Sequence, residues 1–191
     1  MPPTSLSRRE AIIKMALLMG GTMVGPRLLQ GAWDADTTDP ASSADDLALL
    51  DEIGDTIIPT TDVPGAKAVH IGAFMMMMVR DCYEAKEQEA FRAGVRELAE
   101  AYRAKHGHSF VGAPADERTE FLNALDREQR FYTEKKKSSQ PAHYFRVMKE
   151  LTILGYFSSE IGSTQALHFI EVPGSFNGSA PYQKGDRAWF S

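Results

Sequence analysis

Few of the side chains able to do acid–base, nucleophilic or metal chemistry fall in a pattern that would let them do it. Asp51 and Asp55 stand one helical turn apart with Glu52 between them. Paired carboxylates act as acid and base when burial or mutual repulsion splits their proton affinities, but the neighbours here are polar and a solvated face is expected. Glu160 sits among Tyr156, Phe157 and Ile161, where burial would raise its pKa; its expected task is to accept hydrogen bonds from the NH groups of the Gly162-Ser163-Thr164 turn. Ser158 and Ser159 lack the Gly-x-Ser-x-Gly setting of a nucleophile elbow, and His168 has no evident acid partner. His106 and His108 flank a glycine with no third ligand at metal-binding spacing, so a surface loop is expected. Cys82 is the single cysteine; no intramolecular disulfide can form, and its place on an apolar helix face predicts a small buried hydrophobe.

The chain also lacks Gly-x-Gly-x-x-Gly, Gly-x-x-x-x-Gly-Lys and Cys-x-x-Cys-His, so no dinucleotide, nucleoside triphosphate or covalent haem site can be argued. No catalytic, cofactor-binding or metal-binding residue is expected in this chain.

The elements that would position these groups read as helices. The 191 residues carry a net charge of −5, which argues against nucleic acid as a partner, since phosphate binding needs a basic face. The lone basic run, Lys135-Lys136-Lys137, reads as a solvated loop. Ser43 is placed to cap a helix with Asp45 and Asp46 in its first turn and with Leu47, Leu50, Ile53 and Ile57 on one face; Pro59 ends it. Pro64-Gly65 suits a type II turn, and Asp62 is placed to bond nearby backbone NH groups. Ile71, Phe74, Met75, Met78, Val79 and Cys82 mark the most apolar helix. Met76 and Met77 lie off that stripe and are assigned to contact with another protein, because methionine adapts to irregular surfaces. Phe91, Val95, Leu98 and Tyr102 mark a third helix ending near Gly107. Phe121, Leu122 and Leu125 mark a short fourth capped by Asp116, and residues 127–140 read as a charged loop. Pro141 is placed to open a fifth helix with Tyr144, Val147, Met148 and Leu151 on its face, widened by Phe145, Ile153 and Leu154. Leu167 to Val172 is the one short strand candidate. The expected fold is mainly α, a compact bundle of about five helices with an extended C-terminal tail.

The N-terminus has its own signature. Ser7-Arg8-Arg9-Glu10-Ala11-Ile12-Ile13-Lys14 precedes a weakly apolar run from Met15 to Val24. The Arg8-Arg9 pair resembles a twin-arginine export signal, and the run is too short for a membrane span of about 20 residues. The expected organisation is a signal over 1–32, an acidic, small-residue linker over 33–44 and one helical domain over 45–191.

Leu50-Asp51-Glu52-Ile53, Ile57-Ile58-Pro59, Thr61-Asp62, Pro64-Gly65-Ala66, Gly155-Tyr156-Phe157-Ser158-Ser159-Glu160-Ile161-Gly162, Val172-Pro173-Gly174 and Ala188-Trp189, in that order and behind that leader, resemble the gluconate 2-dehydrogenase subunit 3 family over about residues 45 to 190. The resemblance implies a non-catalytic small subunit that helps assemble, stabilise and export a large FAD-binding dehydrogenase subunit of the glucose-methanol-choline type. It implies a c-type cytochrome with haem as electron acceptor, the twin-arginine translocase as carrier, and a periplasmic, membrane-associated location. The residues expected to face the partner are Met76, Met77, Tyr156, Phe157, Glu160, Phe176 and Trp189. Two rival readings remain. One is a free-standing periplasmic ligand-binding protein with a pocket among Phe74, Met78, Tyr144 and Phe157; the other is an independent enzyme using Glu160 and His168.

Overall fold

The computed structural model of the protein describes residues 43–172, 174, 175 and 178–190, all inside one compact unit spanning 38–191. Among them are five α-helices: α1 (Ala44–Ile57), α2 (Ile71–Cys82), α3 (Ala85–His106), α4 (Ala115–Lys135) and α5 (Tyr144–Ser158). A 3-10 turn, Ala66–Val69, joins α1 to α2, and a π-type turn, Gly162–Ala166, follows α5. Two short strands, β1 (His168–Phe169) and β2 (Trp189–Phe190), pair in parallel with His168 opposite Trp189. The expected helical bundle with an extended C-terminal tail is the architecture adopted.

Helix α5 is the hub: it touches each of the other four helices. Phe145, Val147, Met148, Leu151, Thr152, Gly155 and Tyr156 are its buried residues, and they cover too wide an arc to serve one neighbour. Thr152 lies wholly inside, with its hydroxyl donating to the Met148 carbonyl at 2.7 Å, so its burial strands no polar group. Ile153 and Leu154, expected to widen the buried face, are instead half exposed.

The start of α1 follows the expected chemistry. Ser43 Oγ accepts the Asp46 N–H, and the Asp46 carboxylate accepts the Ser43 N–H, each at 3.1 Å, forming a capping box. The start of α2 is handled from a distance. Its N-cap, His70, has φ 51° and no side-chain capping bond. Asp51 of α1 supplies the missing acceptor by taking the Gly72 N–H at 2.8 Å.

Two helices differ from expectation in their bounds. Helix α4 runs through the predicted charged loop to Lys135, because a chain of 21 residues with Phe121, Leu122, Leu125 and Gln129 buried holds its register. Pro114, not Asp116, is its N-cap. Helix α5 starts at Tyr144 rather than Pro141 because the His143 side chain caps it. Lys136 and Lys137 fall in a closed turn, where Lys136 Nζ donates to the Gln140 carbonyl and the Lys137 N–H to Gln140 Oε1.

Helix α2 is rotated relative to its predicted stripe. Its buried residues are Ile71, Gly72, Met75, Met76 and Val79, so the 72/76 flank faces inward while Phe74, Met77 and Met78 are half buried. Gly72 decides this. A Cβ there would lie 2.7 Å from the Leu47 carbonyl oxygen, so the missing side chain lets α1 press onto that flank and carry Met76 into the core. The same rotation leaves Cys82 exposed, against the expectation of a buried thiol.

Candidate functional site

Three of the motifs that carried the family resemblance, around residues 50–53, 64–66 and 155–156, lie far apart in sequence and are drawn into the joints of the bundle. In Leu50-Asp51-Glu52-Ile53, the two apolar residues are fully buried. Asp51 caps α2 as described, and Glu52 pairs with Lys67 of the 3-10 turn and Arg118 of α4. Asp51 is therefore no solvated member of a carboxylate pair: burial pushes its pKa up, partly opposed by the Gly72 N–H and by His70 and Lys67. Burial of a carboxylate disfavours its charged form, and a donated backbone N–H favours it.

Pro64-Gly65-Ala66 meets Gly155-Tyr156 across the fold. The Tyr156 hydroxyl donates to the Pro64 carbonyl at 2.8 Å. Gly65 has φ −80°, so it is not the left-handed residue of a type II turn. It is needed for close approach, since a Cβ there would sit 2.6 Å from both the Ile58 oxygen and the Thr60 nitrogen. The Asp62 carboxylate accepts the Thr61 hydroxyl at 2.9 Å rather than a backbone NH. Gly155 lets α2 and α5 touch: a Cβ there would meet Ile71 Cδ1 and the Phe74 ring at 2.5 Å.

The turn after α5 is held by Ser159, not by Glu160. Ser159 Oγ accepts the Gly162 N–H at 3.1 Å, and the Glu160 side chain lies exposed, away from the apolar surroundings that its neighbours suggested. His168 is also exposed, with its ring 4.1 Å from that of Trp189.

The residues assigned to a partner interface therefore separate into groups. Met76 and Tyr156 are core, 4% and 3% exposed. Met77 and Phe157 are half buried, while Glu160 is exposed and Trp189 is 65% exposed. Arg8, Arg9 and Phe176 lie outside the described residues. The large apolar side chains that do face outward include Ile153 and Leu154 on α5 and Phe169, Val172, Tyr182 and Trp189 on the tail. An outward Ile-Leu pair on the hub helix has a sequence signal, the apolar face of α5 that Ile153 and Leu154 make too wide for one neighbour.

Phe74 and Tyr144, expected to line an apolar ligand pocket, are packed instead: Phe74 against Gly155, and Tyr144 so tightly against Gly94 that a Cβ there would lie 2.1 Å from its ring. A groove of about 430 Å³ lies between α4 and α5, lined by residues such as Arg130, Glu134, Lys149 and Glu150 with Ile153. Most of the residues around it carry charged side chains, over walls that are largely apolar. The pKa of Asp126 beside it is held down by a hydrogen bond from Lys149.

His106 and His108 are joined by a carboxylate that sequence spacing did not suggest. Glu117 Oε2 stands 3.3 Å from His106 Nδ1 and 3.4 Å from His108 Nε2, and the Tyr102 hydroxyl donates to it at 3.3 Å. Among the described residues no group of three or more His, Cys, Asp or Glu side chains is placed to hold a metal ion. Among them, too, no helix is long and apolar enough to cross a membrane.

Compared with known families, residues 44–174 match the model of gluconate 2-dehydrogenase subunit 3. The chain belongs to the gluconate 2-dehydrogenase subunit 3 family. The match covers α1 to the end of the Val172-Pro173-Gly174 motif and leaves the tail from 175 onward, with Ala188-Trp189, outside it. Comparison with curated proteins and with solved structures gives no match.

Proposed function

We propose that this chain is the non-catalytic small subunit of a flavin-dependent dehydrogenase complex that oxidises a CH–OH group of a sugar, sugar acid or glycoside. Its task is to stabilise and export a large catalytic subunit of the glucose-methanol-choline type. FAD belongs to that partner, and a c-type cytochrome accepts the electrons. The Arg8-Arg9 leader directs export through the twin-arginine translocase, so the complex works in the periplasm. The observation that carries this reading is the family match over 44–174. The geometry adds to it, because the motif residues described above are used to hold helices together, while the tail offers Phe169, Val172, Tyr182 and Trp189 to its surroundings. Apolar side chains exposed together on an extended segment suit burial against a larger protein.

The test is purification from the native host through an affinity tag inserted in the exposed turn at Ser138. A co-purifying flavoprotein with sugar-dehydrogenase activity is expected. Recovery of this chain alone, colourless and inactive, would defeat the subunit reading. Deletion of residues 176–191 is expected to release the partner while leaving the helical circular dichroism unchanged; a truncated chain that still brings down the flavoprotein would remove the tail from the interface. Arg8→Lys with Arg9→Lys is expected to leave the partner's activity in the cytoplasm, and normal periplasmic activity would refute the carrier role.

A further inference from the structure

The connection from α4 to α5 ends on a histidine whose two ring nitrogens have opposite duties. His143 Nδ1 accepts the Phe145 N–H at 3.2 Å and so caps α5. This bond satisfies one of the first-turn amides that have no partner within the helix. An accepting Nδ1 carries a lone pair, which fixes the neutral ring as the Nε2–H tautomer. Nε2 lies 3.9 Å from the Glu128 carboxylate of α4, and the side chain is 8% exposed. The ring stacks on Tyr144 with centroids 4.5 Å apart and meets Tyr132 of α4 edge-on at 5.4 Å. The Tyr132 hydroxyl donates to the Pro141 carbonyl at 3.2 Å, so the connection is tied to α4 just ahead of the cap.

We propose that His143 is an acid-sensitive latch: its neutral ring caps the start of α5, and proton uptake at Nδ1 releases that cap. A proton on Nδ1 turns the acceptor into a donor facing the Phe145 N–H, so the capping bond is lost. It also places a charge in a slot walled by Tyr132 and Tyr144. The charged and titratable groups around the ring are Glu128 and Tyr132 from α4, Glu97 from α3 and Tyr144 from α5 itself. Burial holds the imidazole below the ordinary histidine value, and this outweighs the pull of Glu128 and Glu97 toward the charged form. With the folded pKa below the unfolded one, the unfolded chain takes up protons first. The latch is complete above about pH 6.5, the ordinary histidine value, and is lost as pH falls through the lower folded value. This inference does not depend on the partner or on the proposed function.

The test is hydrogen exchange by mass spectrometry on the full chain, with protection factors corrected for the intrinsic pH dependence of exchange. Between pH 7.5 and 5, protection over residues 141–148 is expected to fall about fivefold, the loss of one N-cap, while residues 91–102 of α3 hold theirs. His143→Asn offers a side-chain oxygen acceptor that does not titrate, so its protection over 141–148 is expected to stay flat with pH. An equal fall in that variant, or no fall in the wild type, would overturn the latch. Should the variant not fold, ring-nitrogen NMR of the wild-type chain at pH 8 decides alone: an unprotonated Nδ1 on His143 supports the latch, and a protonated Nδ1 refutes it.

Discussion

Glu52 ties three elements together, and its removal gives the sharpest test of how this bundle is held. The carboxylate pairs with Lys67 on the 3-10 turn and Arg118 on α4; its side chain is 9% exposed, against 52% for Lys67 and 12% for Arg118. In Glu52→Gln, Lys67 swings into water, and the loss of that half resembles a surface pair, about 0–1 kcal/mol. Arg118 cannot leave so easily. Breaking a buried ion pair by removing one partner costs about 3–5 kcal/mol because the other charge stays inside. The glutamine oxygen can still accept one hydrogen bond, which brings the expected total to about 3 kcal/mol, a large share of the roughly 5–15 kcal/mol that a domain has.

The assay is urea unfolding followed by helical circular dichroism. A midpoint shift without a change in slope would show that stability alone has changed. A loss below about 1 kcal/mol would refute the reasoning, because it would mean that Arg118 finds water or another acceptor. The paired change Glu52→Met with Arg118→Met separates pairing from packing. If the cost lies in the stranded charge, the double variant is expected to be more stable than Glu52→Gln. Simple additivity of the two single methionine changes would refute the coupling.

Gly155→Ala is expected to cost about 1–3 kcal/mol, the usual range for overpacking, since its Cβ would meet Ile71 and Phe74 at 2.5 Å; a denaturation midpoint equal to wild type would show that α2 and α5 can part freely. Asp51 has a raised pKa from burial, so it favours the folded state below the unfolded carboxylate value of about 3.9, and that contribution is lost as pH rises through the higher folded value. Asp51→Asn keeps an oxygen for the Gly72 N–H and is expected to flatten stability against pH in that window; an unchanged profile by thermal melts would dismiss the burial argument.

The elements legible in the sequence are those whose signals are local. Ser43 with Asp46, the Leu50/Ile53 face, the 91/95/98/102 face and the Gly107 terminus each need only a turn or two of chain to be read. The misread positions were decided by contacts from elsewhere. Helical spacing puts residues 71, 75 and 79 inward, but whether Met76 or Met78 flanks them depends on α1 pressing at Gly72. Asp51 looked solvated because its partner, the Gly72 N–H, is 21 residues away. Likewise the Tyr156 hydroxyl reaches back 92 residues to Pro64, a bond no local pattern could announce. Glu160 failed for the opposite reason: Ser159, one residue earlier, satisfies the Gly162 N–H first.

This division bears on where function resides. The signature residues Asp51, Glu52, Gly65, Gly155 and Tyr156 are each engaged with another element of the same chain, as cap, ion pair, close approach or buried hydrogen bond. A chain that keeps them keeps the bundle, whatever the bundle is used for. Under the proposed function, the choice of partner is then written on surfaces that the bundle does not need. Among the described residues such surfaces include Ile153 and Leu154, which face out from the helix that touches all the others, and Tyr182 and Trp189 of the tail, which lie beyond the matched family span. The first is rigid, set on α5 by the close contact at Gly155. The second presents Tyr182 and Trp189, 76% and 65% exposed. Under the proposed function, the apolar pair on α5 and the tail are the places where this scaffold would meet its large subunit.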